Sequence, residues 1–155
     1  MTDKIVKIKN IKFTSWVIIL VVWILCGIGI WQSLLPFFAE RHYREGYNFS
    51  AGKRYRYAIE ELKLACKDAP WETHYWNQLG KDYISYSKIQ SNKNDKVFYL
   101  KKAEELYLKC IEDDERNPWF KNRLAKIYSE LMKLADTDEE KKIYFSKAAS
   151  YTRAA

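Results

Sequence analysis

The sequence is poor in the residues on which turn-rich folds and compact reactive sites depend. Its 155 residues include only 5 glycines and 3 prolines, too few for a strand-rich sandwich or a glycine-rich phosphate-binding loop. The 3 cysteines form no C-x-x-C pair, which excludes a disulfide scaffold and argues against structural zinc. Neither of the 2 histidines has a cysteine or carboxylate at ligand spacing. We therefore expect no cofactor, no metal site and no enzymatic activity.

One long segment lacks charge altogether. No Asp, Glu, Lys or Arg occurs between Phe13 and Ala39, and about 20 apolar residues suffice to cross a bilayer. Trp16 and Trp31 lie near the two ends of this segment, where amphipathic rings favour the membrane interface. A cleaved signal peptide is the main alternative, but the apolar run is too long for one and no small-x-small cleavage site follows it. The sequence thus predicts an uncleaved transmembrane helix over 13–38, embedded in a lipid bilayer.

The basic residues on the two sides of this segment give opposite indications of topology. A basic N-terminal tail over 1–12 has four lysines and one aspartate, so it holds +3 of the chain's formal net charge of +7. A cationic tail is costly to translocate, whereas folded domains cross membranes largely regardless of charge. We expect a single-pass protein with a cytoplasmic N-terminus and with residues 39–155 on the extracytoplasmic side, periplasmic or outer. The +4 that remains for 39–155 is ordinary for a soluble surface and argues against binding to nucleic acid.

The residues after the uncharged segment repeat one pattern of small and large apolar side chains. Its most complete example is Trp76-x2-Leu79-Gly80-x2-Tyr83, and Gly46 lies 34 residues before Gly80. Related spacings recur in four other places: Ala58-x3-Leu62-x2-Ala65, Ala103-x3-Tyr107-x2-Cys110, Leu124-Ala125-x2-Tyr128 and Phe145-x2-Ala148. The pattern resembles that of the tetratricopeptide repeat (TPR) family. The resemblance implies an all-α fold, in which the transmembrane helix is followed by a TPR helical-hairpin solenoid of three repeats, at about 39–72, 73–117 and 118–155.

The same pattern predicts how the hairpins pack. Small residues such as Gly80 mark places where two helices approach closely, and large residues such as Tyr107 and Phe145 fill the space beside them. We interpret Cys66 and Cys110 as small core residues. The polar cluster at 91–95 is the predicted tip of the middle hairpin.

In this family the first helix of each hairpin lines a concave binding surface, so the resemblance selects candidate residues. Asn77/Lys81 and Asn122/Lys126 are each i,i+4 pairs, and Asn with Lys can hold a carboxylate. The first repeat departs from the family's carboxylate-clamp members, because it has tyrosines where those have Lys and Asn. An acidic protein or peptide ligand and a merely solvated helix surface both remain open. The predicted partner-binding residues are Tyr43, Arg44, Tyr47, His74, Asn77, Lys81, Trp119, Asn122, Arg123 and Lys126.

The resemblance implies a membrane-anchored scaffold or adaptor that binds proteins or assembles a membrane or cell-envelope complex. A second arrangement, in which a basic tail, a span and Trp31-x4-Pro36-Phe37 precede short repeats, is similar to the C-terminal end of bacterial O-antigen ligase and polymerase proteins. On that alternative the chain is a detached tail or subunit of a glycan-processing membrane enzyme. We expect no capping helix after the third hairpin, so either a second copy or a larger membrane complex covers its end, or the apolar patch left exposed there is small enough to be tolerated.

Overall fold

The structure, a computed structural model, describes the backbone of residues 2–155 and the side chains from Ser15 onward. Over this part of the chain it contains helices and no strand, which confirms the predicted all-α class. The helices are α1 (Thr2–Ala51), α2 (Tyr55–Asp68), α3 (Thr73–Ile89), α4 (Lys93–Asp113), α5 (Pro118–Leu134) and α6 (Asp138–Ala154). The chain divides after Phe37 into two units.

The N-terminal unit is the apolar part of α1. The segment Ser15–Ala51 contains a window with mean hydropathy 2.3, of which no part is buried within the protein. Because the core helix of a soluble protein would be mostly buried, this helix is a candidate membrane span or signal sequence. Its orientation in a membrane stays a prediction.

α1 continues through Pro36 instead of ending where the predicted transmembrane helix meets the first repeat. Proline removes one intrahelical hydrogen bond, and here the flanking turns remain helical. The helix ends where Lys53 adopts a left-handed conformation with φ of 58°. The backbone amide of Arg54 donates to the carbonyl of Phe49 at 2.9 Å. One carbonyl in the last turn of α1 therefore has a hydrogen-bond partner, as in a common C-terminal cap.

The second unit is a succession of helices that each pack on the next. α2 packs on α3, α3 on α4, α4 on α5 and α5 on α6. The C-terminal part of α1, which belongs to this unit, lies against α2 where Gly46 meets Leu62. One apolar core joins these helices, and its most deeply buried large side chains include Leu62, Tyr107, Leu124, Ile127, Tyr128 and Leu131.

Two predictions about this core are confirmed. A Cβ atom added to Gly80 would lie 2.8 Å from Cε2 of Tyr107, so the small residue does mark a close approach of α3 and α4. Cys66 and Cys110 are buried, and burial raises the pKa of each thiol to about 12. These thiols are therefore packing residues that stay protonated at neutral pH.

Two other details differ from prediction. Phe145 was expected in the core but is 64% exposed, and Tyr144 and Tyr151 stack on Tyr128 instead, with ring centroids 6.3 and 5.7 Å apart. Ala148 packs against the core as the repeat pattern predicts, but the large side chain beside it is Tyr144 and not Phe145. The tip of the middle hairpin is shorter than 91–95, because the Asn92 side chain accepts from the Asn94 amide and starts α4 at once.

Candidate partner-binding site

The ten predicted binding residues lie on α1, α3 and α5, and none of them is buried. Contacts collect seven of them into two groups. We call Tyr43, Tyr47 and His74, together with Tyr75, the tyrosine cluster. We call Trp119, Asn122, Arg123 and Lys126 the α5 patch. Within the described side chains, no hydrogen bond, ion pair or ring contact joins the two groups.

The tyrosine cluster forms where α1 meets α3. The Tyr43 hydroxyl and Nε2 of His74 lie 2.6 Å apart, and the two rings are 4.8 Å apart at their centroids. The ring of Tyr43 also stacks on Tyr75 at 5.0 Å and lies 6.2 Å from that of Tyr47. Burial raises the pKa of Tyr43, and it raises that of Tyr75 to about 12 together with a hydrogen bond to Glu40. These hydroxyls remain protonated at neutral pH, so the cluster offers aromatic faces and neutral hydrogen-bonding groups.

The three predicted residues outside these groups also have hydrogen-bond partners within the protein. Arg44 donates to Glu40 at 2.7 Å, one helical turn earlier on α1. The Lys81 ammonium donates to the side-chain oxygen of Gln78 at 3.0 Å. The backbone carbonyl of Asn77 accepts from the buried Tyr107 hydroxyl at 3.3 Å. The contact of Asn77 involves its backbone only, but the Lys81 ammonium is already occupied and so is less available to a ligand than Lys126, its counterpart on α5.

The α5 patch has the composition of an anion-binding surface. Its four side chains line one cavity of about 360 Å³. The Arg123 guanidinium carbon lies 5.8 Å from the centroid of the Trp119 ring, which is 67% exposed. Among the described side chains, neither Arg123 nor Lys126 has a carboxylate within ion-pair distance. Two cations, one amide and one aromatic face are thus available together to a ligand.

These four residues converge for a simple geometric reason. Positions 119, 122, 123 and 126 follow the i, i+3, i+4, i+7 spacing that places side chains on one helix face. Pro118 opens α5 and the Asn117 side chain accepts from the Trp119 amide, so the helix begins immediately before the patch. The opposite face of α5 supplies the core residues Leu124 and Tyr128.

Sequence reasoning missed a buried carboxylate on α3. Asp82 is 2% exposed, and its Oδ1 accepts from the Ser50 hydroxyl at 2.6 Å and, more weakly, from Gln78 at 3.5 Å. Its Oδ2 has no hydrogen-bond partner within the described part of the chain. Burial raises the pKa of Asp82, and the two hydrogen bonds only partly oppose that effect. The sequence contained a signal of this burial. Asn122 lies 45 residues after Asn77, and the residue 45 positions after Asp82 is Ile127, which is buried in the core.

A third group contains atoms that metals bind. His42, Glu45 and Glu61 present one ligand atom each, and these atoms lie within 4.8 Å of one another. The expectation that His42 lacks a carboxylate at ligand spacing was wrong. Glu45 is three residues along the same helix, and Glu61 is brought close by the packing of α2 on α1.

No protein-family model matches the chain, and no curated protein matches it either. The resemblance to tetratricopeptide repeats therefore depends on the motifs of the sequence.

Proposed function

We propose that this protein is a membrane-anchored scaffold whose TPR-like hairpins bind an acidic peptide segment of a partner protein. The α5 patch is the observation on which the proposal depends. It places two cations that lack ion pairs beside an exposed tryptophan, and Trp and Arg are the residues most enriched at energetic centres of interfaces.

The arrangement of the second unit supports a repeat architecture. Consecutive helices pack in chain order, as they do in solenoids, where each repeat contacts only its neighbours. Gly46 and Gly80 are 34 residues apart, and each lies where a large side chain of the following helix approaches to within 3 Å of a hypothetical Cβ atom. A period of 34 residues is that of the tetratricopeptide repeat.

The chemistry of the patch selects the ligand. Arg123 can donate two parallel hydrogen bonds to a carboxylate, and Lys126 provides a second positive charge one turn from Asn122. The exposed ring of Trp119 can cover an apolar side chain of the same peptide. The ligand we propose therefore has Asp or Glu residues beside a leucine or an aromatic residue.

The apolar part of α1 supports anchoring. A span would confine the scaffold and its partners to one surface and so raise their effective concentration. By the balance of basic residues, we place the N-terminus in the cytoplasm and the hairpins on the extracytoplasmic side.

A peptide-display selection tests the binding proposal. The full chain, solubilised in detergent, is used as bait, and the bound sequences are compared with those bound by the double variant Arg123→Glu/Lys126→Glu. We expect enrichment of Asp and Glu next to an apolar residue, lost in this variant because its patch repels carboxylates. Lys133→Glu/Lys141→Glu is the matched control, since it reverses two lysines that already pair with Glu130 and Asp138 outside the patch. Equal enrichment of acidic peptides by both double variants would contradict the proposal.

A further inference from the structure

Three side chains from two helices converge at the first hairpin of the second unit. His42 and Glu45 are three residues apart on α1, so both project from one face of that helix. Glu61 faces them from α2, with its Oε2 2.7 Å from Nδ1 of His42. The three ligand atoms lie within 4.8 Å of one another.

These separations suit a small divalent ion. Zinc bonds to imidazole nitrogen and carboxylate oxygen measure about 2.0–2.2 Å, so ligand atoms around a tetrahedral ion lie about 3.3–3.6 Å apart. The 2.7 Å between Nδ1 of His42 and Oε2 of Glu61 is shorter than this spacing, and the upper limit of 4.8 Å on the separations is longer, so the side chains lie close enough to reach one ion. The side chains of His42 and Glu61 are each 25% exposed, which leaves room for water as the fourth ligand.

The surroundings supply an outer ligand shell. The other ring nitrogen of His42, Nε2, faces Oδ2 of Asp68 at 4.0 Å. A histidine that ligates a metal through one nitrogen usually donates the other N–H to a carboxylate, which fixes the tautomer and the ring orientation. Asp68 could do this when Nδ1 binds the ion, after its carboxylate approaches by about 1 Å to reach hydrogen-bond distance.

The charge of the group also favours a cation. Glu45, Glu61 and Asp68 are three carboxylates, and among the described residues Arg41 is the one Lys or Arg that pairs with any of them, at 3.0 Å from Glu45. Arg41 is largely exposed, so this surface pair is weak. The three carboxylates and Arg41 together hold two more negative than positive charges, which a divalent ion would balance.

The donor set indicates which ion. One imidazole nitrogen favours first-row transition ions over Mg²⁺ and Ca²⁺, which prefer all-oxygen sites, and two carboxylates are common partners of zinc. We propose that His42, Glu45 and Glu61 bind one divalent transition-metal ion, best fitted by Zn²⁺, with Asp68 orienting the imidazole. The bound ion joins α1 to α2. It is independent of the α5 patch.

Calorimetric titration of the full chain with Zn²⁺ tests this site. The protein is kept in detergent, stripped with chelator and treated with N-ethylmaleimide, so that the exposed thiol of Cys26 cannot bind the metal. We expect the wild type to bind one ion per chain saturably. Glu61→Gln removes a ligand and should bind at least about tenfold more weakly. Asp68→Asn should keep the stoichiometry of one ion but bind about 10–100-fold more weakly. Glu60→Gln is the matched control, because Glu60 neighbours Glu61 on α2 but pairs with Arg56. It should bind as the wild type does.

A structural readout complements the titration. Since an ion that binds only the folded protein stabilises it, Zn²⁺ should raise the unfolding midpoint of the wild type and of Glu60→Gln more than that of Glu61→Gln at the same concentration. Circular dichroism verifies that the variants are folded, and His42→Gln replaces Glu61→Gln if the latter is not. Absence of one-to-one binding, equal affinity of Glu61→Gln and Glu60→Gln, or equal binding of Mg²⁺ and Zn²⁺ would each overturn the proposal.

Discussion

Asp82 and Glu104 are both buried acids, but their surroundings shift their pKa values in opposite directions. Asp82 accepts from neutral donors only, and burial raises its pKa. Glu104, 8% exposed, also loses hydration, yet hydrogen bonds from Lys101 at 2.8 Å and from the Tyr128 hydroxyl at 2.6 Å outweigh this and lower its pKa. The first acid therefore opposes folding when ionised, whereas the second supports it.

This difference predicts opposite pH dependences of stability. The contribution of Asp82 is fully present below its unfolded-state pKa and is lost as the pH rises through its higher folded-state pKa. The contribution of Glu104 is present above its unfolded-state pKa and is lost as the pH falls through its lower folded-state pKa. Denaturant unfolding between pH 3 and 7 should show that Asp82→Asn gains stability relative to the wild type as the pH rises, whereas Glu104→Gln loses it. Parallel pH profiles of the two variants would show that the buried charges do not act in this way.

At the scale of helices, the contact between α3 and α4 limits what can replace Gly80. A methyl group there would lie 2.8 Å from the ring of Tyr107, which is fully buried and hydrogen-bonded to the carbonyl of Asn77. Alanine is favoured over glycine inside a helix by about 1 kcal/mol, but overpacking a core costs about 1–3 kcal/mol, so strain should prevail.

We therefore expect Gly80→Ala to lower the free energy of unfolding by about 1 kcal/mol, the middle of the difference between these two effects, as measured by urea denaturation in detergent. Gly52→Ala is the control, since its methyl group would meet only backbone oxygens at 3.5 and 3.6 Å. That variant should remain as stable as the wild type. A Gly80→Ala protein as stable as Gly52→Ala would mean that Tyr107 has room to move.

Local signals in the sequence account for the helices better than for their contacts. Asn117 followed by Pro118 predicts the start of α5, and Thr137 followed by three acidic residues predicts the start of α6. Both starts are predictable because N-caps and first-turn charges act within a single helix. The α5 patch was predictable for the same reason. The packed face of α6 was not, since Tyr144 and Phe145 both fit a helical spacing and only the approach of Tyr128 selects between them.

The contacts that join separate helices could not be read from spacing. Tyr43 meets His74 across 31 residues, and Ser50 meets Asp82 across 32. Each contact depends on how α1 packs on α3, which the repeat resemblance implies only approximately. The burial of Asp82 and the approach of Glu61 to His42 follow from the same kind of packing.

At the scale of the whole molecule, the three cysteines report on three different positions. Cys26 is exposed on the apolar segment of α1, whereas Cys66 and Cys110 are buried in the second unit with thiol pKa values of about 12. In a membrane, lipid would cover Cys26 and exclude a charged maleimide, and the buried thiols would be both inaccessible and protonated. Intact membranes should therefore leave all three thiols unlabelled.

Denaturation in SDS then distinguishes an anchor from a cleaved signal sequence. We expect the membrane-bound protein to take up three labels, because an uncleaved span retains Cys26; two labels would mean that the segment had been removed.

Ser91→Cys, in the exposed turn between α3 and α4, supplies a thiol outside the apolar segment with which the topology can be tested. Labelling of this variant in intact cells would place the hairpins on the extracytoplasmic side. Labelling that appears only after lysis would reverse the topology, and the acidic partner would then have to be a cytoplasmic protein.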